Sequence, residues 1–157
     1  MQNNLPDKAG VVAPPPLIYI GGLLGSLLLH KLVPVPFAPR HVPRTILGVG
    51  LIGLAITIIS RAIGTMRSAG TNVNPEQPTT ALVTSGPYQF TRNPLYIALT
   101  MLYTGLAVLV NTLWAFLLLP LVLLIIDRGV IAREERYLER KFGARYAQYK
   151  QRVNRWL

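Results

Sequence analysis

Residues 94–127 read PLYIALTMLYTGLAVLVNTLWAFLLLPLVLLIID, the strongest structural signal in this chain of 157 residues. Two apolar runs, 94–110 and 113–127, are separated only by Asn111 and Thr112. A two-residue connection permits no more than a tight turn, so the runs predict an antiparallel helical pair. Runs of about this length, with no charge before the terminal Asp127, are typical of helices that cross a bilayer. The stretch therefore predicts a membrane hairpin.

Two earlier apolar runs, 17–33 and 45–63, lie on either side of a proline-rich break. Hydrophobic residues make up 51% of the chain and charged residues 14%, a composition that would not build a water-facing surface. We therefore predict one all-α domain over 1–157, an integral membrane bundle of about four transmembrane helices. Residues 1–16 are expected to form a flexible or interfacial arm.

The segment 130–157 is charged but keeps a helical pattern. Its apolar and aromatic residues recur every three or four positions, which predicts an amphipathic cytoplasmic tail that lies in the interface or packs over the bundle. Gly143 is expected to break this tail into two helices. The stripe consists of Leu138, Phe142, Tyr146, Tyr149, Val153 and Trp156.

The net charge of +10 comes from 16 basic and 6 acidic residues. Most basic residues lie outside the apolar runs and crowd the segment after the last one, as in the positive-inside rule, so the pattern favours a membrane over a nucleic acid. It places both termini in the cytoplasm, and a small bundle of this kind suggests a prokaryotic inner membrane. With no cysteine and only two histidines, neither a disulfide nor a metal site is expected.

Glycines mark two of the predicted spans. Residues 48–53, GVGLIG, match the dinucleotide fingerprint in letters only, because they lie inside an apolar helix with no strand before them. Close helix packing is the better interpretation. Gly21 and Gly25 have the spacing of another small-residue packing face.

The segment SGPYQFTRNPLY, residues 85–96, leads into the third span. Asn93 and Pro94 are a good helix start, with Asn as the cap and Pro in the first turn. Arg92 has no acidic neighbour in sequence, so it either meets lipid phosphates or binds a ligand.

Glu134 and Glu135 follow the fourth span, and neither has a basic partner one helical turn away. Adjacent residues point about 100° apart on a helix, so we expect one carboxylate to face an internal partner and the other to face water or a distant arginine. An arginine, a helix start, tyrosines and these carboxylates would suit a zwitterionic, partly aromatic ligand.

Two of these motifs together resemble a known family. LVTSGPYQFTRNPLY, followed after the hairpin by EERYLERKFGARYAQYKQRVNRWL, is similar to the isoprenylcysteine carboxyl methyltransferase and phospholipid methyltransferase group of membrane enzymes. The resemblance covers about residues 80–157. It implies methyl transfer from S-adenosylmethionine to a membrane-embedded lipid or isoprenylated acceptor, a carboxylate or an amine, at the cytoplasmic face.

The family motif also implies site residues in this chain. Arg92, Tyr96 and Glu134 correspond to catalytic positions. Position 93, where the family often has histidine, is asparagine here and cannot carry a proton. The resemblance implies cofactor contacts from Gly86, Pro87, Tyr88, Arg92, Asn93, Tyr96, Glu134 and Glu135.

Other interpretations stay open at the level of sequence. The C-terminal half also resembles sterol-reductase-like membrane proteins, which would make the cofactor NADPH. A scaffold or small transporter is a third alternative, although the chain shows no repeated halves. Tyr146 and Tyr149 either close over a cofactor or only pack. The acceptor and the oligomeric state are not determined by sequence.

Overall fold

A computed structural model describes residues 7–39 and 43–157. The described residues are helical or irregular, which confirms the all-α prediction. The bundle helices are α1 Pro15–Leu32, α2 Arg44–Ser68, α3 Pro94–Val110 and α4 Leu113–Ile126, followed by α5 Ala132–Phe142 and α6 Ala144–Arg152. Pro15–Leu32, Arg44–Ser68 and the continuous Leu113–Phe142 are long and apolar enough to cross a membrane, and α3 is a shorter apolar helix. The bundle of about four helices is thus confirmed.

The hairpin between α3 and α4 turns on Asn111, whose backbone is left-handed at φ 59°. Asparagine tolerates that conformation better than most residues. Its side chain also exchanges two hydrogen bonds with the backbone of Ala38, at 3.1 and 3.0 Å. Leu113 N donates to Val35 O at 2.9 Å, so the segment after α1 is held against the hairpin turn.

Helices α4 and α5 are continuous through a π-helical turn, Asp127–Ile131. Such turns insert one extra residue, which rotates the rest of the helix about its axis, and they are frequent at functional sites. Here the rotation comes where the sequence changes from apolar to charged. It sets the direction in which the acidic residues of α5 point.

The glycine predictions hold only in part. Gly48 of α2 meets Gly105 of α3 so closely that a Cβ on Gly105 would lie 2.9 Å from Gly48 O. A Cβ on Gly50 or Gly53 would meet nothing within 4 Å, so close packing explains only the first glycine of GVGLIG. Backbone contact at one small-residue pair is enough to bring α2 and α3 together.

The packing prediction for the first span was wrong at Gly21, which has open space around it. Gly22 is the closely packed position instead, because a Cβ there would collide with Val122 of α4. Gly25 is in ordinary van der Waals range of Leu118. Consecutive helix positions lie about 100° apart, so the α1 contact face is rotated from the one that the glycine spacing indicated.

The tail packs over one end of the bundle, which we call the tail end: the end where α3 begins and where α5 and α6 lie. Gly143 separates α5 from α6 with φ 51°, as the sequence predicts. Tyr146 and Tyr149 of the stripe are buried there. Of the predicted arm, residues 1–6 lie outside the described residues, and the next residues contact the tail end, with Val12 N donating to Gly129 O at 3.2 Å.

Candidate active site

A partly open cavity lies at the tail end, with about 880 Å³ of free space including its mouth. Its walls come from the loop 71–83, the start of α3, and α5 and α6. Six of the eight residues that the resemblance implies as cofactor contacts line it: Tyr88, Arg92, Asn93, Tyr96, Glu134 and Glu135. Residues more than forty positions apart in sequence thus meet in one concave site, the kind of place where small-molecule sites are found.

Glu134 is the first of the two carboxylates on α5. Its Oε1 accepts a hydrogen bond of 2.7 Å from the Tyr96 hydroxyl, which joins α5 to the first turn of α3. Burial raises the pKa of the Glu134 carboxyl to about 7, the Tyr96 hydrogen bond opposes the rise, and the charge of Glu135 adds to it. A carboxyl group with this pKa can gain or lose a proton near neutral pH.

Glu135 points to arginines. Its Oε1 lies 3.0 Å from Arg92 Nη1, and the side chains of both residues are 10% exposed. Arg155 reaches the same carboxylate from the end of the tail, with Nε donating to Oε1 at 3.1 Å. The expectation of one internal partner and one distant arginine is therefore confirmed, with Glu134 on Tyr96 and Glu135 on arginine.

Arg92 keeps unused hydrogen-bond donors. Among the described residues neither Nε nor Nη1 has a hydrogen-bond acceptor, although both atoms are buried. The approach of Nη1 to Glu135 is thus an ion pair without hydrogen-bond alignment. Buried donors without acceptors are costly, so an anionic group in the cavity would be stabilised beside them.

Asn93 differs from its predicted role. It is the residue before α3 and Pro94 is the first helical residue, but its side chain makes no capping hydrogen bond. Asn93 Nδ2 instead donates to Arg155 O at 2.9 Å. The tail supplies a carbonyl on the outer side of the helix start, so the amide binds the tail rather than its own helix.

Gly86 and Pro87 lie outside the cavity wall, in the short 3₁₀ turn Gly86–Gln89. Gly86 has φ 59°, and a Cβ there would lie 2.7 Å from the Thr65 hydroxyl oxygen of α2. These residues therefore shape the turn that carries Tyr88 to the cavity. A direct cofactor contact from Gly86 or Pro87 is not supported by their positions.

Tyrosines form one wall of the cavity. Tyr149 donates from its hydroxyl to Tyr88 O at 2.6 Å, and the Tyr146 and Tyr149 rings meet edge to face at 6.1 Å. All three residues line the cavity. Tyr146 and Tyr149 therefore both pack against each other and line the cavity, so the two alternatives of the sequence analysis do not exclude each other.

The family resemblance implied that the loop before α3 helps to hold the cofactor, but sequence reasoning named neither the residues of the loop 71–83 nor Tyr137, which also line the cavity. The Tyr137 hydroxyl accepts from Thr79 N at 3.0 Å and donates to Asp7 Oδ1 at 2.8 Å, and Asp7 also pairs with Lys141. Tyr137 thus ties the arm and the loop to α5. Apart from that resemblance, only the length of the polar connection between α2 and α3 signals that this loop has a function.

Comparisons with known proteins identify the family to which the chain belongs. The sequence model of a family described as phospholipid methyltransferase matches residues 43–145. An uncharacterized protein of Haemophilus influenzae is 40% identical over 63 residues, which are 40% of this chain and all of that protein. The cobalt-zinc-cadmium resistance protein CzcN of Cupriavidus metallidurans is 29% identical over 108 residues, 69% of this chain but only 47% of CzcN. No solved structure matches the chain.

Proposed function

Because the chain belongs to the phospholipid methyltransferase family, a family of membrane methyltransferases, we propose that its cavity binds S-adenosylmethionine. The chain would then transfer a methyl group to a lipid or isoprenylated acceptor. When bound, the cofactor supplies a methyl group already activated on a sulfonium. Methyl transfer from such a donor needs alignment and exclusion of water more than it needs covalent help from the protein.

The observation that carries the proposal is the convergence of Arg92 and Glu134 on one cavity. Two buried guanidinium nitrogens of Arg92, Nε and Nη1, have no hydrogen-bond acceptor among the described residues and suit the carboxylate of the cofactor's methionine part. Glu134 also lines the cavity, and its carboxyl group suits a positively charged group or a hydroxyl group of the ligand. The tyrosine wall suits the flat or cationic parts of such a ligand.

Glu134 also supports a role toward the acceptor. A carboxylate acceptor is nucleophilic as it stands, but an amine must first lose a proton. A carboxyl group with a pKa of about 7 and one hydrogen bond from Tyr96 is suited to take that proton near neutral pH. Both acceptor classes therefore stay within the proposal, and Glu134 is essential to the chemistry only for the amine.

Asn93 occupies the position where the family often has histidine. Its amide holds the tail through Arg155 O, a role that needs a donor but no proton transfer. This supports the interpretation that residue 93 holds the tail in place in this chain and transfers no proton.

The distribution of charge supports one orientation of the chain in the membrane. All six acidic residues and most of the basic ones lie in segments that belong to the tail end. By the positive-inside rule, this excess of basic residues supports a cytoplasmic position for the tail end. We propose an inner-membrane protein with both termini on the cytoplasmic side.

Calorimetric titration of the detergent-solubilised chain with S-adenosylmethionine, S-adenosylhomocysteine and NADPH tests this function. We expect binding of the two adenosyl compounds, strong weakening in Arg92→Ala and Glu134→Ala, and no NADPH binding. The controls are Arg136→Ala and Glu139→Gln, which replace exposed charges of α5 outside the cavity. NADPH binding alone would favour the reductase alternative, and no binding by folded protein would favour a scaffold.

A further inference from the structure

We propose that Arg155 is a positioning residue, which keeps the Arg92 guanidinium available in the cavity by occupying the carboxylate of Glu135. The inference rests on the proposed function, because it assigns Arg92 to an anionic group of the ligand. Arg155 itself is absent from the cavity wall. It would act through two residues that are part of that wall.

The backbone near Arg155 holds both neighbours of Arg92. Arg155 O accepts from Thr91 Oγ1 at 3.0 Å and from Asn93 Nδ2 at 2.9 Å. Arg92 N itself donates to Asn154 O at 2.9 Å. Three hydrogen bonds thus pair the tail with the segment that carries Arg92, and each joins residues more than sixty positions apart.

The Arg155 side chain holds Glu135 with the two-pronged geometry that a guanidinium offers to a carboxylate. Nε donates to Oε1 at 3.1 Å and Nη2 donates to Oε2 at 2.5 Å. Nη1 donates to Asp127 Oδ1 at 3.0 Å, which fixes the third nitrogen. Arg155 thereby takes both oxygens of Glu135, whereas Arg92 has only an ion pair to one of them.

This unequal sharing leaves Arg92 its free donors. Each carboxylate oxygen can accept more than one hydrogen bond, but one planar carboxylate can form a two-pronged pair on only one edge at a time. Without Arg155, Glu135 can turn both oxygens to Arg92 and neutralise it. The cavity would then lose its free cationic donors while all of its lining residues remain.

The test measures S-adenosylhomocysteine affinity in the full chain by calorimetry. We expect Arg155→Ala to bind about tenfold more weakly, the size of one lost charge-assisted hydrogen bond. Arg155→Lys, which keeps the charge but not the two-pronged geometry, should recover only part of the affinity. The matched control is Arg152→Ala, an exposed arginine of the same tail with no ion pair in the described ranges 7–39 and 43–157.

The double variant separates positioning from a general loosening of the tail. In a Glu135→Gln background the competing carboxylate is gone, so adding Arg155→Ala should no longer weaken binding. If Arg155→Ala costs the same factor in both backgrounds, competition for Glu135 is not the cause and the proposal is overturned. Unchanged affinity in Arg155→Ala alone would overturn it as well.

Trp156 supplies a readout that needs no ligand. It is partly buried against the core, and in a Trp114→Phe background it is the one tryptophan left. Because Arg155→Ala keeps the backbone carbonyl that accepts from Thr91 and Asn93, the Trp156 emission should stay unchanged in this variant. A shift to longer wavelength would trace the lost affinity to a loosened tail and overturn the proposal. If the parent chain binds no adenosyl compound, the proposed function fails and the positioning role fails with it. Binding by the parent without a change in Arg155→Ala rejects the positioning role alone.

Discussion

The buried carboxyl of Glu134 makes a quantitative prediction about stability and pH. The unfolded chain loses this proton near the ordinary value of 4.5, whereas the folded chain keeps it to about 7. Between those values the folded state binds more protons than the unfolded state, so wild-type stability falls as pH rises. The destabilisation is absent below about pH 4.5 and complete above about pH 7.

The size of this destabilisation follows from the pKa values of Glu134 in the unfolded and folded chain. At about 1.36 kcal/mol per pKa unit, the difference corresponds to roughly 3 kcal/mol. Because Glu134 opens onto the cavity, we expect about 2 to 3 kcal/mol. Glu134→Gln keeps an oxygen for the Tyr96 hydroxyl but has no charge to bury. It should therefore be more stable than wild type by that amount at pH 8 but by less than about 1 kcal/mol at pH 5.

Denaturant titration in mixed micelles, followed by circular dichroism at pH 5, 6, 7 and 8, gives the free energies of unfolding. Glu139→Gln is the control, since Glu139 lies on the same helix but is exposed and paired with Lys150. A stability difference between Glu134→Gln and wild type that does not change with pH would refute the reasoning. It would mean that the folded chain does not keep the Glu134 proton above the pH at which the unfolded chain loses it.

Three other changes test the fold, the topology and the arginine cluster. Gly105→Ala places a Cβ 2.9 Å from a facing backbone oxygen and should lower the free energy of unfolding by about 1 to 3 kcal/mol. Its control is Gly50→Ala, which has open space around it and should leave the free energy of unfolding unchanged or raise it by up to about 1 kcal/mol. Equal effects of the two substitutions would contradict the α2–α3 contact. Because the chain has no cysteine, an impermeant maleimide should label Pro39→Cys but not Arg152→Cys in intact cells, and the reverse pattern would invert the proposed topology. Glu135→Ala should cost about 3 to 5 kcal/mol by leaving buried arginine charge unpaired, and a melting temperature equal to that of wild type would exclude that pairing.

Much of the fold is predictable from the lengths of the apolar runs. Runs 94–110 and 113–127 coincide almost to the residue with α3 and α4, because a two-residue connection and a terminal Pro94 leave no other arrangement. Gly143 likewise ends a helix where its position in the stripe indicates. These are local features, and local sequence decides them.

Helix rotation was less predictable. Gly21 and Gly22 are adjacent and equally small, yet only Gly22 meets another helix. Small residues on a lipid-facing side cost little in a membrane, so their presence does not by itself identify a packing face. The contact of Gly22 depends on which side chains of α4 face α1, and the sequence of α1 carries no information on that.

The site shows the same division. Local spacing indicated that Glu134 and Glu135 lack basic partners on their own helix, and that the two point in different directions. It could not indicate that the Tyr96 hydroxyl donates to Glu134 and that two arginines contact Glu135. Nor could it indicate that Asn93 would give its amide to the tail instead of its own helix.

Hydrophobic run lengths and turn residues alone set the all-helical membrane bundle, since burying apolar side chains and satisfying backbone groups inside lipid leave few alternatives. The motif residues indicated methyl transfer only through their resemblance to a known family. Tertiary packing decided that Tyr96 contacts Glu134 and that two arginines contact Glu135, because those partners lie in separate segments and meet only when the tail packs against the start of α3. The availability of the Arg92 donors is thus a property of the assembled tail end, and no single segment of the sequence contains it.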